Sequence, residues 1–124
     1  MHILIVDDSK ITRQVIKQAI LETQYAQASF SEAEHGKEAL ESVERLKPDL
    51  ILSDWNMPEM DGLTLLQEIR KLDINLPFGM LTAQSTKSLE ESARKSGAHF
   101  LLSKPFTPQV LEATLLSIYG PYTS

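Results

Sequence analysis

Four short, unbroken apolar runs constrain this chain more than any other feature: residues 3–6, 50–52, 78–81 and 100–102. Each is shorter than an ordinary helix and is closed by polar residues or proline. Continuous rather than alternating apolar character is what a strand buried on both faces requires, as in a parallel sheet covered by helices. Residues 28–33 form a weaker fifth run that alternates, with Phe30 between Ser29 and Ser31, and read as an edge strand.

Between the runs, apolar residues recur at helical spacing. Ile11, Val15, Ala19 and Ile20 mark the first helix, and Ala39, Val43 and Leu46 the second. Leu65, Leu66, Ile69 and Leu72 mark the third, and Val110, Leu111, Leu115 and Ile118 the last. Segment 85–96 offers only Leu89 and Ala93 as a buried stripe. Ser9 or Asp8 is placed to cap the first helix, Asp61 the third and Thr107 the last, with Pro108 suited to a first turn. Gly79, inside a buried run, implies close backbone packing. A β-α pattern repeated five times predicts an α/β, doubly wound parallel sheet with right-handed crossovers and helices on both faces. At 124 residues this is one domain, residues 1–124. A hydrophobic share of 42% is enough for a single core at that size.

Charge and composition exclude several classes of function. A net charge of −5, with the twelve basic residues scattered, argues against a nucleic-acid binder. The absence of cysteine excludes disulfides and thiolate metal sites. Residues 3–6 are too short for a signal peptide, and no apolar run approaches the ~20 residues of a membrane span. A cytoplasmic protein that does not bind membrane is the expectation. The ending, residues 120–124, reads as either a terminus or the start of a linker.

Ligands of such sheets bind beyond the carboxyl ends of the strands. Counting the five strands in chain order, Asp7 and Asp8 follow the first, Asp54 the third, Thr82 and Ala83 the fourth, and Lys104 and Pro105 the fifth. Singly, each has an ordinary structural reading as a helix cap, a turn residue or a surface ion pair. Together on one rim they do not. Two carboxylates ~5 Å apart repel by about 3 kcal/mol at an effective dielectric of 20, so three of them beside one lysine need a further cation or lose protons. A hard divalent ion with oxygen ligands, Mg²⁺, meets that need. Asp54 is then a nucleophile toward phosphorus. Asp8 and Asp54, with Asp7 nearby, hold the metal, and Lys104 neutralises phosphoryl oxygens. The Thr82 hydroxyl and the Ala83 N–H donate hydrogen bonds to those oxygens.

Four segments carry a family resemblance across the whole chain: Val6-Asp7-Asp8-Ser9; Ser53-Asp54-Trp55-Asn56-Met57-Pro58-Glu59-Met60-Asp61-Gly62; Leu81-Thr82-Ala83; and Lys104-Pro105-Phe106. In this order, each at a strand end, they resemble response-regulator receiver domains, most of all the chemotaxis (CheY-type) members. The resemblance implies a five-stranded sheet in the order 2-1-3-4-5 and a two-component function in which a sensor histidine kinase phosphorylates Asp54. Small donors such as acetyl phosphate are implied to substitute. It also implies a metal ligand from the backbone carbonyl of Asn56, a cis Lys104–Pro105 bond, and self-catalysed hydrolysis with its rate set at Asn56 and Gln84. It further implies a downstream partner, such as a flagellar motor switch, on the face of the fourth helix, fifth strand and fifth helix. A monomer or weak dimer is expected.

Two departures from the family pattern stand out. Receivers commonly carry Tyr or Phe three residues before the lysine; here that residue is Leu101, and neighbouring Phe100 must point to the opposite face of the sheet. The last helix has no lysine or arginine. Its Leu116 and Tyr119 either mark a partner or dimer contact or close over the helix edge. His2, His35 and His99 share no ligand spacing, and Trp55, next to Asp54, either covers one side of the site or is a structural contact that needs no function. A haloacid-dehalogenase-type phosphatase would need a second Asp where Asn56 stands. A flavin module would need a Ser/Thr/Gly-rich loop where Asp7-Asp8-Ser9-Lys10 stands.

Overall fold

A computed structural model describes residues 1–121; of the ending 120–124, residues 122–124 lie outside the described residues. Strands β1 (His2–Val6), β2 (Ser29–Ala33), β3 (Leu50–Asp54), β4 (Phe78–Thr82) and β5 (Phe100–Ser103) alternate with five helices. These are α1 (Lys10–Leu21), α2 (Gly36–Leu46), α3 (Gly62–Lys71), α4 (Lys87–Lys95) and α5 (Pro108–Tyr119). All four strand pairings are parallel and the order is β2-β1-β3-β4-β5. The chain steps from β1 out to β2, then back past β1 to β3. The reversal of winding therefore falls between β1 and β3, where a ligand crevice opens.

Period-two alternation divides each central strand between two cores. Leu4, Val6, Ile51, Phe78 and Met80 pack with α2, α3 and α4. Ile3, Ile5, Leu50, Leu52 and Leu81 pack with α1 and α5. Gly79 is explained by its cross-strand neighbour: it pairs with Phe100, and a β-carbon there would overlap the Phe100 ring. Leu101 joins the α2–α4 core while Phe100 joins the other, as the pleat requires. Among the described residues no helix is long and apolar enough to cross a membrane.

Two expectations are corrected by the packing. Pairing runs past the apolar runs, through Ser53↔Met80, Asp54↔Leu81 and Thr82↔Ser103, so Asp54 and Thr82 end their strands rather than following them. The buried face of α1 is Arg13, Ile16, Ala19 and Ile20, whereas Ile11 and Val15 are 77% and 60% exposed. The apolar arc of α1 is wider than the sheet can cover, and an arginine bonded to Glu32 and to the Asp7 carbonyl takes the place of an isoleucine. Leu46, Leu72 and Val110 are likewise exposed, the first two at helix ends and the third in a first turn. Ser9 rather than Asp8 caps α1, donated to by the Thr12 N–H at 3.2 Å. Asp61 and Thr107 cap α3 and α5 as predicted, with Pro108 in the first turn. Leu116 and Tyr119 pack against the α1–α5 core, and the Tyr119 hydroxyl donates to the Asp49 carbonyl at 2.7 Å. In this fold the two side chains close the helix edge.

Candidate functional site

The β1–β3 crevice is built by two strands ending side by side. Asp7 directly follows β1 and is 2% exposed; Asp54 ends β3 and is 8% exposed. Asp8 is exposed. One carboxylate oxygen from each of Asp7, Asp8 and Asp54 lies within 4.8 Å of the others. Lys104, just past β5, reaches across the rim: its ammonium donates to Asp54 Oδ1 at 2.9 Å and to Asp7 Oδ2 at 3.3 Å. The Lys104–Pro105 bond is cis. Three carboxylates thus crowd one crevice in which a single ammonium bonds Asp7 and Asp54, while Asp8 is exposed.

The electrostatics follow from that crowding. Burial pushes the Asp7 carboxyl above its ordinary range, against the opposing pull of the Ser9 N–H and the Lys104 ammonium. Burial also works against the Lys104 ammonium. The hydrogen bond and charge of Asp54, joined by those of Asp7, outweigh it and leave the Lys104 pKa raised. Hard carboxylate oxygens held this close suit a small divalent cation and would strongly disfavour any anion arriving without one.

The remaining predicted residues surround this centre with one difference. Thr82 is buried at the end of β4, and its hydroxyl donates to the Gln84 carbonyl at 3.1 Å and accepts from the Gln84 N–H at 3.2 Å. In this state the β4–α4 loop holds the hydroxyl. Ala83 is exposed beside it, and Asn56 is exposed in the loop after Asp54. Of the two readings of Trp55, the structural contact holds: it is buried in the α2–α4 core, its backbone N–H donating to the Leu81 carbonyl at 2.8 Å. The histidines lie apart. His2 bonds Ser29 and Ser31, His35 caps α2, and His99 accepts from the Phe78 N–H.

Two residues acquire roles that sequence reasoning did not assign. Gly62 opens α3 directly against Asp54: a β-carbon there would overlap the Asp54 carbonyl oxygen, and its N–H donates to the Trp55 carbonyl at 2.8 Å. The Asp-Gly pair at a helix start was the available signal. Arg13 is buried on α1 and donates to the Asp7 carbonyl at 2.6 Å. Its signal was a basic residue at i−3 from Ile16, on the helix face that turns inward.

Comparison with known proteins gives the family. The sequence profile of the response regulator receiver domain matches residues 3–116. The chain is 37% identical over 123 residues to a chemotaxis protein CheY homolog of Campylobacter jejuni, covering 97% of this chain and 93% of that one. The structure of the chemotaxis protein CheY4 of Vibrio cholerae superposes with a TM-score of 0.84 at 32% identity, over 94% of this chain and 97% of that one. A segment amounting to 12% of the sensor histidine kinase RcsC of Salmonella typhimurium is 37% identical over 115 residues, 93% of this chain. The fold, the acidic rim and these relatives agree: the chain belongs to the response regulator receiver domain family.

Proposed function

We propose that Asp54 is the phosphoryl acceptor of this receiver, loaded by a sensor histidine kinase in a Mg²⁺-dependent reaction and read by a downstream protein. The observation that carries this reading is the Lys104 ammonium bonded at once to Asp54 and Asp7 within a cluster of three carboxylates. Such an arrangement is poor for stability and well suited to an incoming phosphoryl group. Asp7, Asp8, Asp54 and the backbone carbonyl of Asn56 would hold Mg²⁺, which when bound offsets the charge of the phosphoryl oxygens.

The residues of the chain do the rest. A free oxygen of the Asp54 carboxylate attacks phosphorus, a P–O bond forms, and the donor's P–N bond breaks with its electron pair retained by the imidazole, which takes up a proton. Lys104 leaves the carboxylate pair to meet the new phosphoryl oxygens. Thr82 exchanges its Gln84 bonds for one to the same oxygens, and the exposed Ala83 N–H supplies another. That exchange frees the β4–α4 loop, and through it the signal leaves the site. Leu101 has no hydroxyl or ring to rotate, so transmission runs through Thr82 and α4. Water entering past Asn56 and Gln84 resets Asp54.

The output face is α4, β5 and α5. A groove of about 460 Å³ there, lined by residues including Lys87, Glu90, Arg94 and Leu101, offers charge of both signs over an apolar floor. A chemotaxis pathway in the cytoplasm, with a flagellar motor-switch protein as partner, is the assignment the chemotaxis relatives support. The test is incubation with acetyl phosphate and Mg²⁺, read by intact mass. One added phosphoryl group per chain, lost on Asp54→Asn and on chelation of the metal, is expected. Catalytic turnover of phosphate esters without labelling would replace this reading with a phosphatase.

A further inference from the structure

Arg13 is the costliest side chain in the α1 interface. It is 6% exposed, on a helix face otherwise made of Ile16, Ala19 and Ile20. Burying a guanidinium is unfavourable by several kcal/mol unless its donors are met. An apolar residue would serve the core at least as well. Its contacts point to a different role. Nε donates to Glu32 Oε1 of β2 at 2.8 Å, and Nη2 lies 3.9 Å from Glu34 Oε1. Nη1 donates to the Asp7 carbonyl at 2.6 Å.

That carbonyl belongs to the peptide joining Asp7 to Asp8. The other polar atoms of Asp7 are also held: its N–H by the Ala33 carbonyl at 3.1 Å, Oδ1 by the Ser9 N–H at 2.8 Å, and Oδ2 by Lys104. Asp8, by contrast, is exposed, with one carboxylate oxygen within 4.8 Å of those of Asp7 and Asp54, and the plane of that peptide is one of the determinants of the direction in which its side chain leaves the backbone. We infer that Arg13 is a positioning residue for the metal-binding carboxylates: by clamping the Asp7–Asp8 peptide to Glu32, it aims Asp8 at the cation site. This rests on the Mg²⁺ reading above.

Two effects of opposite sign compete. A positive charge near a cation site weakens cation binding, whereas a fixed ligand direction strengthens it. Glu32 and Glu34 face the guanidinium and cancel most of its field, so positioning wins. The rigid fork of arginine bonds a carboxylate and a carbonyl at once; a lysine in its place keeps the charge and loses the geometry. Residues that orient metal ligands typically change metal affinity by about 10–100-fold when replaced.

The experiment is a Mg²⁺ titration of the unphosphorylated protein, followed by the Asp8 and Ser9 amide resonances, with thermal unfolding measured alongside. Arg13→Lys and Arg13→Met should both bind Mg²⁺ about tenfold more weakly or worse. Glu32→Gln should shift affinity the same way by less. Affinity unchanged in Arg13→Lys and tightened in Arg13→Met would mean that only the charge matters and would overturn the inference. Unchanged affinity with a lowered melting temperature would do the same, reducing Arg13 to packing. Should Arg13→Met fail to fold, Arg13→Lys and Glu32→Gln decide between the same outcomes. No Mg²⁺ response in the parent protein would remove the metal reading itself, and the inference with it.

Discussion

The two rims of the sheet are made from similar residues and treat them in opposite ways. At the carboxyl ends of the strands, Asp7, Asp8 and Asp54 bring their carboxylates together, and one ammonium bonds two of them. At the amino ends, nearly every polar group is answered. The Asp49 carboxylate accepts from the His2 N–H at 2.7 Å, and the His2 ring bonds the hydroxyls of Ser29 and Ser31 at 2.7 Å each. Tyr25 and Tyr119 tie helix α5 and its end to the body through the Gly120 and Asp49 carbonyls. Arg70 donates to the carbonyls of Ile74, Leu76 and Gly97 at 2.8–3.0 Å, joining the loops before β4 and β5. One rim holds the fold together. The other keeps charge in excess, as a site awaiting a cation and an anion must.

This contrast can be broken by substitution, and the largest effects should separate the rims completely. Asp54→Asn should abolish labelling by acetyl phosphate while leaving the metal-free protein at least as stable as the parent; a loss of both would mean that Asp54 is structural. Arg70→Ala should show the reverse, a loss of about 2–3 kcal/mol in denaturant unfolding with the labelling rate intact. Gly62→Ala connects the two, because its β-carbon presses on the Asp54 carbonyl. It should cost about 1–3 kcal/mol and also slow labelling.

Smaller effects sharpen the electrostatic side. The Asp7 carboxyl is raised from its ordinary 3.8, so between that value and its raised one the folded chain holds more protons than the unfolded chain. Stability of the metal-free protein therefore falls as pH rises through that window, and Asp7→Asn should flatten the slope in acid-range unfolding curves. For Lys104 the raised pKa means stability that is fully present below 10.5 and lost as pH climbs through the folded value. Lys104→Met should remove that alkaline decline. Smallest of all, Tyr119→Phe should cost about 1 kcal/mol for one lost hydrogen bond and leave labelling unchanged.

The acidic rim was far more legible in the sequence than the stitched one, for a physical reason. Strand-end Asp and Lys residues sit next to unbroken apolar runs, and the topology alone brings them together. Asp7, Asp8, Asp54, Thr82 and Lys104 needed no knowledge of side-chain direction to be grouped. Arg70 and Tyr119 act through backbone carbonyls of distant loops, and a carbonyl leaves no trace in a residue's identity. The same holds for Arg13, whose principal acceptor in the site is the carbonyl of Asp7. The wrongly chosen face of α1 has the same origin: Ile11 and Val15 fit the helical period, but a buried cation bonded to Glu32 claimed the inward position.

The most direct test of an overcharged rim is its response to the cation that would relieve it. Thermal unfolding should be measured with Mg²⁺ and with a monovalent salt of equal ionic strength, in the parent and in an Asp8→Asn/Asp54→Asn double variant. Mg²⁺ at about 100 times its dissociation constant should stabilise the parent by about 2.7 kcal/mol, a rise of several degrees, while the double variant melts higher without metal and responds little. A parent protein indifferent to Mg²⁺, or a double variant that gains as much from it, would contradict the account.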